Sequence, residues 1–322
     1  MRRRPRRNRS NQGVRSMVEE TKLSTENLIY PLFIEDGVGV KTEIKSLKDN
    51  FRWSLDTLLP EIEACVKLGL DKFVLFPAVK ESLKDSIASY SYAQDNFYLN
   101  AIHKIKSEFP QLSLMSDVAM DPYSSDGHDG LVKNNRILND ETLPILAKMA
   151  IAQAQAGIDI LGPSDMMDGR IGFLRDELDA SGYSDTSIMS YTAKYASAFY
   201  EPFRDALDSA PKSGDKKTYQ MNPANKNEAL LEAELDFQEG ADMMMVKPAT
   251  CYLDIIHVLK ENFDIPITAY NVSGECAMIY AASEKGWLDY ETSMYEMLLS
   301  IRRAGADGIL TYFAKDFAKF QQ

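Results

Sequence analysis

Four times in this chain of 322 residues a glycine is followed two positions later by an aspartate and then by an apolar run. The segments are GLDKFVLFP from Gly69, GIDILGPSD from Gly157, GADMMMVKP from Gly240 and GADGILTYF from Gly305. Each follows an amphipathic stretch, so each reads as the end of a helix, a glycine in the left-handed cap, and the start of a buried strand. A unit of that kind, repeated, commits the chain to alternating helices and parallel strands.

Eight such strands are expected, at 28–34, 73–79, 113–120, 158–163, 187–193, 242–247, 267–273 and 307–313. Helical patterns lie between them, among others at 55–68, 96–108, 141–156, 225–239 and 291–304. Eight successive units point to an α/β fold of the closed (β/α)8 TIM-barrel type, covering residues 26–322. The competing arrangement is an open, doubly wound sheet. Residues 1–25 read as an extended N-terminal arm.

Six of the first nine residues are arginine, although the net charge of the chain is −12. The acidity argues against nucleic acid as a general partner. The basic arm reads as a solvated tail or as a contact to an acidic neighbouring subunit. Cys65, Cys251 and Cys276 are scattered, without zinc or disulfide spacing, as expected in a reducing compartment. No apolar run is long enough to span a membrane. A cytoplasmic protein is the expectation.

A barrel of this kind builds its active site at the C-terminal ends of its strands. The candidates there are Asp117, Asp121, Ser164, Asp165, Lys194, Lys247, Ser273 and Tyr312. The two lysines stand out, because lysine is rarely buried unless paired or functional. Lys247 follows Met243, Met244, Met245 and Val246; Lys194 ends the run SIMSYTA. Burial and a neighbouring cation both favour the neutral amine, the form that attacks a ketone. Two structural, salt-bridged lysines are the alternative.

The segment around Lys247, MVKPATCYLDII, resembles the active-site signature of the 5-aminolevulinate dehydratase (porphobilinogen synthase) family. Similar family motifs follow one another along the chain. They are DVAMDPYSSDGHDG (117–130), GPSDMMDGR (162–170), SYTAKYASAFYEPFRDA (190–206), KKTYQMNPAN (216–225), AYNVSGECAM (269–278) and GADGILTYFAK (305–315). The resemblance implies a lyase that condenses two 5-aminolevulinate molecules into porphobilinogen, with loss of two waters, in tetrapyrrole biosynthesis. Lys247 matches the lysine that forms a Schiff base with the first-bound substrate, and Lys194 the lysine at the other substrate's site. Ser273 and Tyr312 match the residues holding one carboxylate. Arg204 and Lys216 match the pair holding the other, with Lys216 on a lid. Read without the resemblance, Lys216 is a solvated loop residue and Arg204 part of a helix-surface ion pair.

Some family members hold zinc on three cysteines, where this chain has Ala119, Asp121 and Asp129. Without thiolates no such zinc site forms. Asp117, Asp121 and Asp129 suit a harder cation such as Mg2+ or a monovalent ion, proton transfer, or simply a hydrogen-bonded acidic loop. The resemblance further implies an allosteric Mg2+ held by Glu232, with Asp165 and Arg170 around it, and a homo-octamer. Taken alone, Glu232 is a solvated charge. Asn271 and Cys276 depart from the usual Gln and Tyr of the family motif. Two other readings compete: a Schiff-base aldolase, which explains one lysine, and an inactive barrel kept for assembly, which predicts loss of a lysine.

Overall fold

The structure is a computed structural model that describes residues 1–203 and 212–322. Eight parallel strands carry the fold: β1 (Leu28–Glu35), β2 (Lys72–Ala78), β3 (Ser113–Val118), β4 (Ile160–Pro163), β5 (Ser187–Lys194), β6 (Met243–Lys247), β7 (Ile267–Asn271) and β8 (Gly308–Thr311). They neighbour one another in chain order, and β8 pairs back with β1, Leu28 opposite Ile309. The sheet is therefore closed, as expected from the eightfold pattern, and the open-sheet alternative falls.

The Gly-x-Asp repeat has a mechanical meaning. Gly69, Gly157, Gly240 and Gly305 have φ of 87°, 100°, 97° and 122°, where a side chain is strained. In three of the four repeats the aspartate then reaches sideways to an earlier strand. Asp159 accepts from Leu114 N (2.7 Å), Asp242 from Ile188 N (2.7 Å) and Asp307 from Ile267 N (3.0 Å). These carboxylates satisfy N–H groups at the N-terminal rim of the barrel. In the first repeat the side chain of Asp71 pairs with Lys72 instead, at 2.6 Å.

The helices pack around the barrel and bury one stripe each. In the helix Leu55–Lys67 the buried residues are Leu58, Ile62 and Cys65. In Tyr290–Ala304 they are Met294, Leu298 and Ile301. The interior is filled closely: a Cβ on Gly162 would lie 2.5 Å from Met115 Cε and 2.7 Å from Ser116 O. Two hairpins decorate the barrel. One (Lys41–Glu43 with Phe51–Trp53) extends the sheet beside β1. The other (Leu131–Lys133 with Arg136–Leu138) turns on Asn134 and Asn135, at φ 51° and 58°, which suits a tight hairpin turn. Ahead of the barrel, the short helices Pro5–Arg9 and Gln12–Met17 bury no residue. No helix of the described residues is long and apolar enough to cross a membrane.

Candidate active site

Lys194 and Lys247 are the last residues of β5 and β6, and they stand opposite each other in the ladder. Their placement depends on an irregularity. Met244 pairs with Ser190, but Val246 pairs with Ala193. One extra residue of β5 is thus accommodated between those pairs, a bulge. With strict alternation Tyr191 and Lys194 would face opposite sides of the sheet. The extra residue turns both inward, and the amino groups of Lys194 and Lys247 lie 5.8 and 5.1 Å from the centre of the Tyr191 ring.

Aromatic rings enclose Lys247. Besides Tyr191, its Nζ lies 4.6 Å from the centre of the Tyr270 ring, 5.0 Å from Phe203 and 5.3 Å from Tyr200. Loss of water in this cage, reinforced by the charge of Lys194, lowers the Lys247 pKa from 10.5 to about 7. Lys194 is held differently: its Nζ donates to Ser164 O and lies 3.6 Å from Asp129 Oδ2. One lysine is thus poised as a neutral amine while the other has a carboxylate partner.

Lys216 closes the site from above. Its side chain is only 9% exposed, and its Nζ bonds Asp129 Oδ1 at 2.9 Å and Asp121 Oδ2 at 3.1 Å. Both carboxylates raise its pKa, outweighing burial. Its segment is fastened to the strand ends, because Met221 N donates to Lys194 O at 3.0 Å and Ala196 N to Met221 O at 2.8 Å. His128 clamps it from the side, through Tyr219 OH at 3.1 Å and Ser213 O at 2.9 Å. Between Lys194, Lys216, Lys247, Asp117 and Asp121 a cavity of about 30 Å³ remains.

The three aspartates differ. Asp117 is pushed up mainly by burial, with Ser164 and the lysines opposing. Asp121 is pushed up to about 6 by burial and by Asp129. Burial alone would raise Asp129 too, but Lys194 and Lys216 bring it well below the usual range. Asp129 pairs with Lys194 and Lys216 and Asp121 with Lys216, and among the described residues no group of three or more His, Cys, Asp or Glu is arranged to hold a metal.

Ser273 opens the helix Ser273–Glu284, and its buried Oγ has no partner among the described residues. Tyr312 follows β8 and its hydroxyl lies 2.8 Å from that of Tyr270. Arg204 lies outside the described residues. Glu232 is apart from the lysines, half-buried on the helix Asn227–Gln238, beside a cavity of about 890 Å³ on the outer side of the 213–222 segment. Burial pushes Glu232 up to about 7 despite Arg170, with Asp236, Asp168 and Glu228 adding to the rise. Arg170 is fully buried against Asp236 (3.3 Å) and, at 3.9 Å, Asp165. Asp165 is raised to about 6, chiefly by burial. The aromatic cage, His128 and Tyr219 escaped the sequence reading; only the strand-end position of Tyr191 and Tyr270 hinted at them.

Comparisons with known proteins agree on one family. The family model for delta-aminolevulinic acid dehydratase matches residues 2–320. The delta-aminolevulinic acid dehydratase of Chlamydia pneumoniae is 54% identical over 312 residues, covering 97% of this chain and 94% of that protein. That of Bradyrhizobium diazoefficiens is 50% identical, covering 98% and 90%. The crystal structure of the enzyme (porphobilinogen synthase) from Toxoplasma gondii ME49, in complex with the reaction product porphobilinogen, superposes with a TM-score of 0.98. It is 49% identical and covers 99% of this chain and 92% of that one. With two buried lysines opposed at the strand ends and matches over nearly its whole length, the chain belongs to the delta-aminolevulinic acid dehydratase family.

Proposed function

We propose that this chain condenses two molecules of 5-aminolevulinate into porphobilinogen, releasing two waters, as a lyase of tetrapyrrole biosynthesis. The observation that carries the reading is Lys247 at a barrel-strand end, held near pKa 7 in an aromatic cage beside a second lysine. A neutral amine there attacks the ketone of one substrate and expels one water as the imine forms. The imine acidifies the adjacent carbon, so a C–C bond can form to the second substrate, bound at Lys194. Lys194 forms the second imine with that substrate, expelling the second water. The C–C bond and a C–N bond from one substrate's amine complete the ring, and elimination of the two lysines from the former ketone carbons returns both as free amines. Fixing two substrates side by side supplies the orientation that a bimolecular condensation lacks.

Ser273 and Tyr312 hold one carboxylate, and Arg204 and Lys216 the other. Hydroxyls and cations are the donors a carboxylate needs. A cavity of about 30 Å³ has room for about one water, so the roof carrying Lys216 lifts to admit substrate and closes to exclude water from the imine. Substrate carboxylate then competes with Asp121 and Asp129 for Lys216.

Glu232 is proposed to bind an allosteric Mg2+. Among the described residues Glu228, Asp168 and Asp236 do not form a ready-made cage with it, but their charges act on Glu232 as a cluster of excess negative charge. Mg2+ keeps several waters as ligands, so Glu232 can be its one side-chain donor. Bound there, the ion would neutralise that cluster, with Asp165 and Arg170 behind it. A monovalent cation is the second candidate, at Asp117, Asp121 and Asp129. The arm, residues 1–25, exposed over most of its length up to Leu23, is proposed to pack against a second copy in a homo-octamer, in the cytoplasm.

The test is direct. The protein is incubated with 5-aminolevulinate, Mg2+ and K+, and porphobilinogen is measured; borohydride then traps the imine, and the modified lysine is mapped. Absence of product, or a label on neither Lys194 nor Lys247, overturns the proposal. An aldolase would label one lysine and make no porphobilinogen.

A further inference from the structure

Three barrel loops must keep a fixed spacing for this site to work: the one after Lys247, the one carrying Ser273 and the one carrying Tyr312. A single buried carboxylate lies where they meet. Glu275, fully buried, accepts from Thr250 N at 2.7 Å through Oε1. Through Oε2 it accepts from Val272 N at 2.9 Å and from Asn271 Nδ2 at 3.1 Å. Asn271 passes the connection on: its Oδ1 accepts from Thr311 Oγ1 at 2.9 Å and from Cys276 Sγ at 3.2 Å. Thr311 immediately precedes Tyr312, and Thr250 is three residues after Lys247.

The chemistry of the chain of contacts is directional. A carboxylate donates nothing, so it can receive all three N–H groups at once. The amide of Asn271 is fixed in one orientation, nitrogen toward Glu275 and oxygen toward Thr311. Burial pushes the Glu275 carboxyl up, and the donors from Val272 and Thr250 hold it back. Glu275 also lies in the first turn of the helix Ser273–Glu284, where the helix dipole favours negative charge. Neither Glu275 nor Asn271 lines the cavity between the lysines.

We infer that Glu275, with Asn271 and Thr311, is a positioning residue that sets the distance between the imine-forming Lys247 and the carboxylate anchor at Ser273 and Tyr312. The inference rests on the roles proposed for those three residues. It assigns Glu275 no contact with substrate; its effect is on how well one ligand spans two groups.

Two ketones separate that role from general damage. Levulinate (4-oxopentanoate) needs both Lys247 and the carboxylate anchor, whereas 2-pentanone needs Lys247 alone. Full-length protein is treated with each in the presence of borohydride, and the rate of labelling at Lys247 is followed by peptide mass. In Glu275→Gln the amide must turn an NH2 toward one of its three donors. Labelling by levulinate is expected to fall about tenfold or more, since a misplacement on the order of 1 Å can cost about a hundredfold. Labelling by 2-pentanone should stay within about twofold of wild type. Thr311→Val, nearly equal in volume, should give the same split more weakly. Adding Ser273→Ala to Glu275→Gln should cost little more, because the anchor is already displaced. An equal fall for both ketones, or unchanged levulinate labelling in both variants, overturns the inference. Wild-type protein that labels Lys247 with neither ketone overturns the proposed function beneath it.

Discussion

Replacing Lys194 by methionine should move the titration of Lys247, and the size of the shift follows from the geometry. Both amino groups lie over the Tyr191 ring, at 5.8 and 5.1 Å from its centre. Their separation cannot exceed the two distances placed end to end, about 11 Å. At an effective dielectric constant of about 20 the repulsion at that limit is about 1.5 kcal/mol, or about one pKa unit. Closer approach only enlarges it. The neighbouring cation is one of two forces that lower Lys247 to about 7, burial being the larger. Removing it therefore raises the midpoint, to about 8 or slightly above. In wild type, the rate at which levulinate is trapped on Lys247 by borohydride should rise about tenfold per pH unit below 7 and flatten above. In Lys194→Met the same curve should lie about one unit to the right. Near pH 7 that is a loss of about fivefold in trapping, with no loss at pH 10. A midpoint that stays put, or moves down, would mean that the two lysines do not sense each other.

Lys216→Met leaves Asp121 and Asp129 buried without their shared cation; a loss of about 3–5 kcal/mol of unfolding free energy in urea is expected, partly recovered by adding Asp121→Asn. Stability within 1 kcal/mol or so of wild type would contradict the roof described above. Mg2+ is expected to stimulate activity and Glu232→Ala to abolish the stimulation while leaving the lysines reactive; equal stimulation in the variant would remove Glu232 as the ligand. The folded Asp165 carboxyl, raised from 3.8 to about 6, binds its proton more tightly than the unfolded chain does. Its contribution to stability is complete below about pH 4 and is lost as pH rises through 6. Asp165→Asn should therefore raise Tm more at pH 8 than at pH 5, and a shift of the same size at both would speak against this reading.

The sequence exposes the barrel because its strands are continuous apolar runs and its αβ turns repeat a Gly-x-Asp device. The lysine pair is legible for the same reason: a charge at the end of an apolar strand breaks the pattern. What stays hidden depends on separations that local patterns do not encode. Lys216 finds Asp129 across 87 residues, and Lys212–Lys217 looks in sequence like an ordinary charged loop. The cage around Lys247 draws Tyr191, Tyr200, Phe203 and Tyr270 from three different stretches of chain. Glu275 resembles any acidic residue in a first helical turn until Thr250 is seen donating to it. The two hairpins were missed because strands of three residues are too short to show a period.

The bulge in β5 also limits how this site can be copied or altered. Transplanting the two lysines onto neighbouring strands of a regular barrel would give the pair without Tyr191 on the same side, since alternation would place that ring among the outer helices. Conversely, deleting Tyr191 would close the bulge and leave Lys194 opposite Lys247, but would remove the ring that both amino groups face. The ring of Tyr191 thus belongs to the lysine pair as its shared wall, and a gap at that position removes it while both lysines still align.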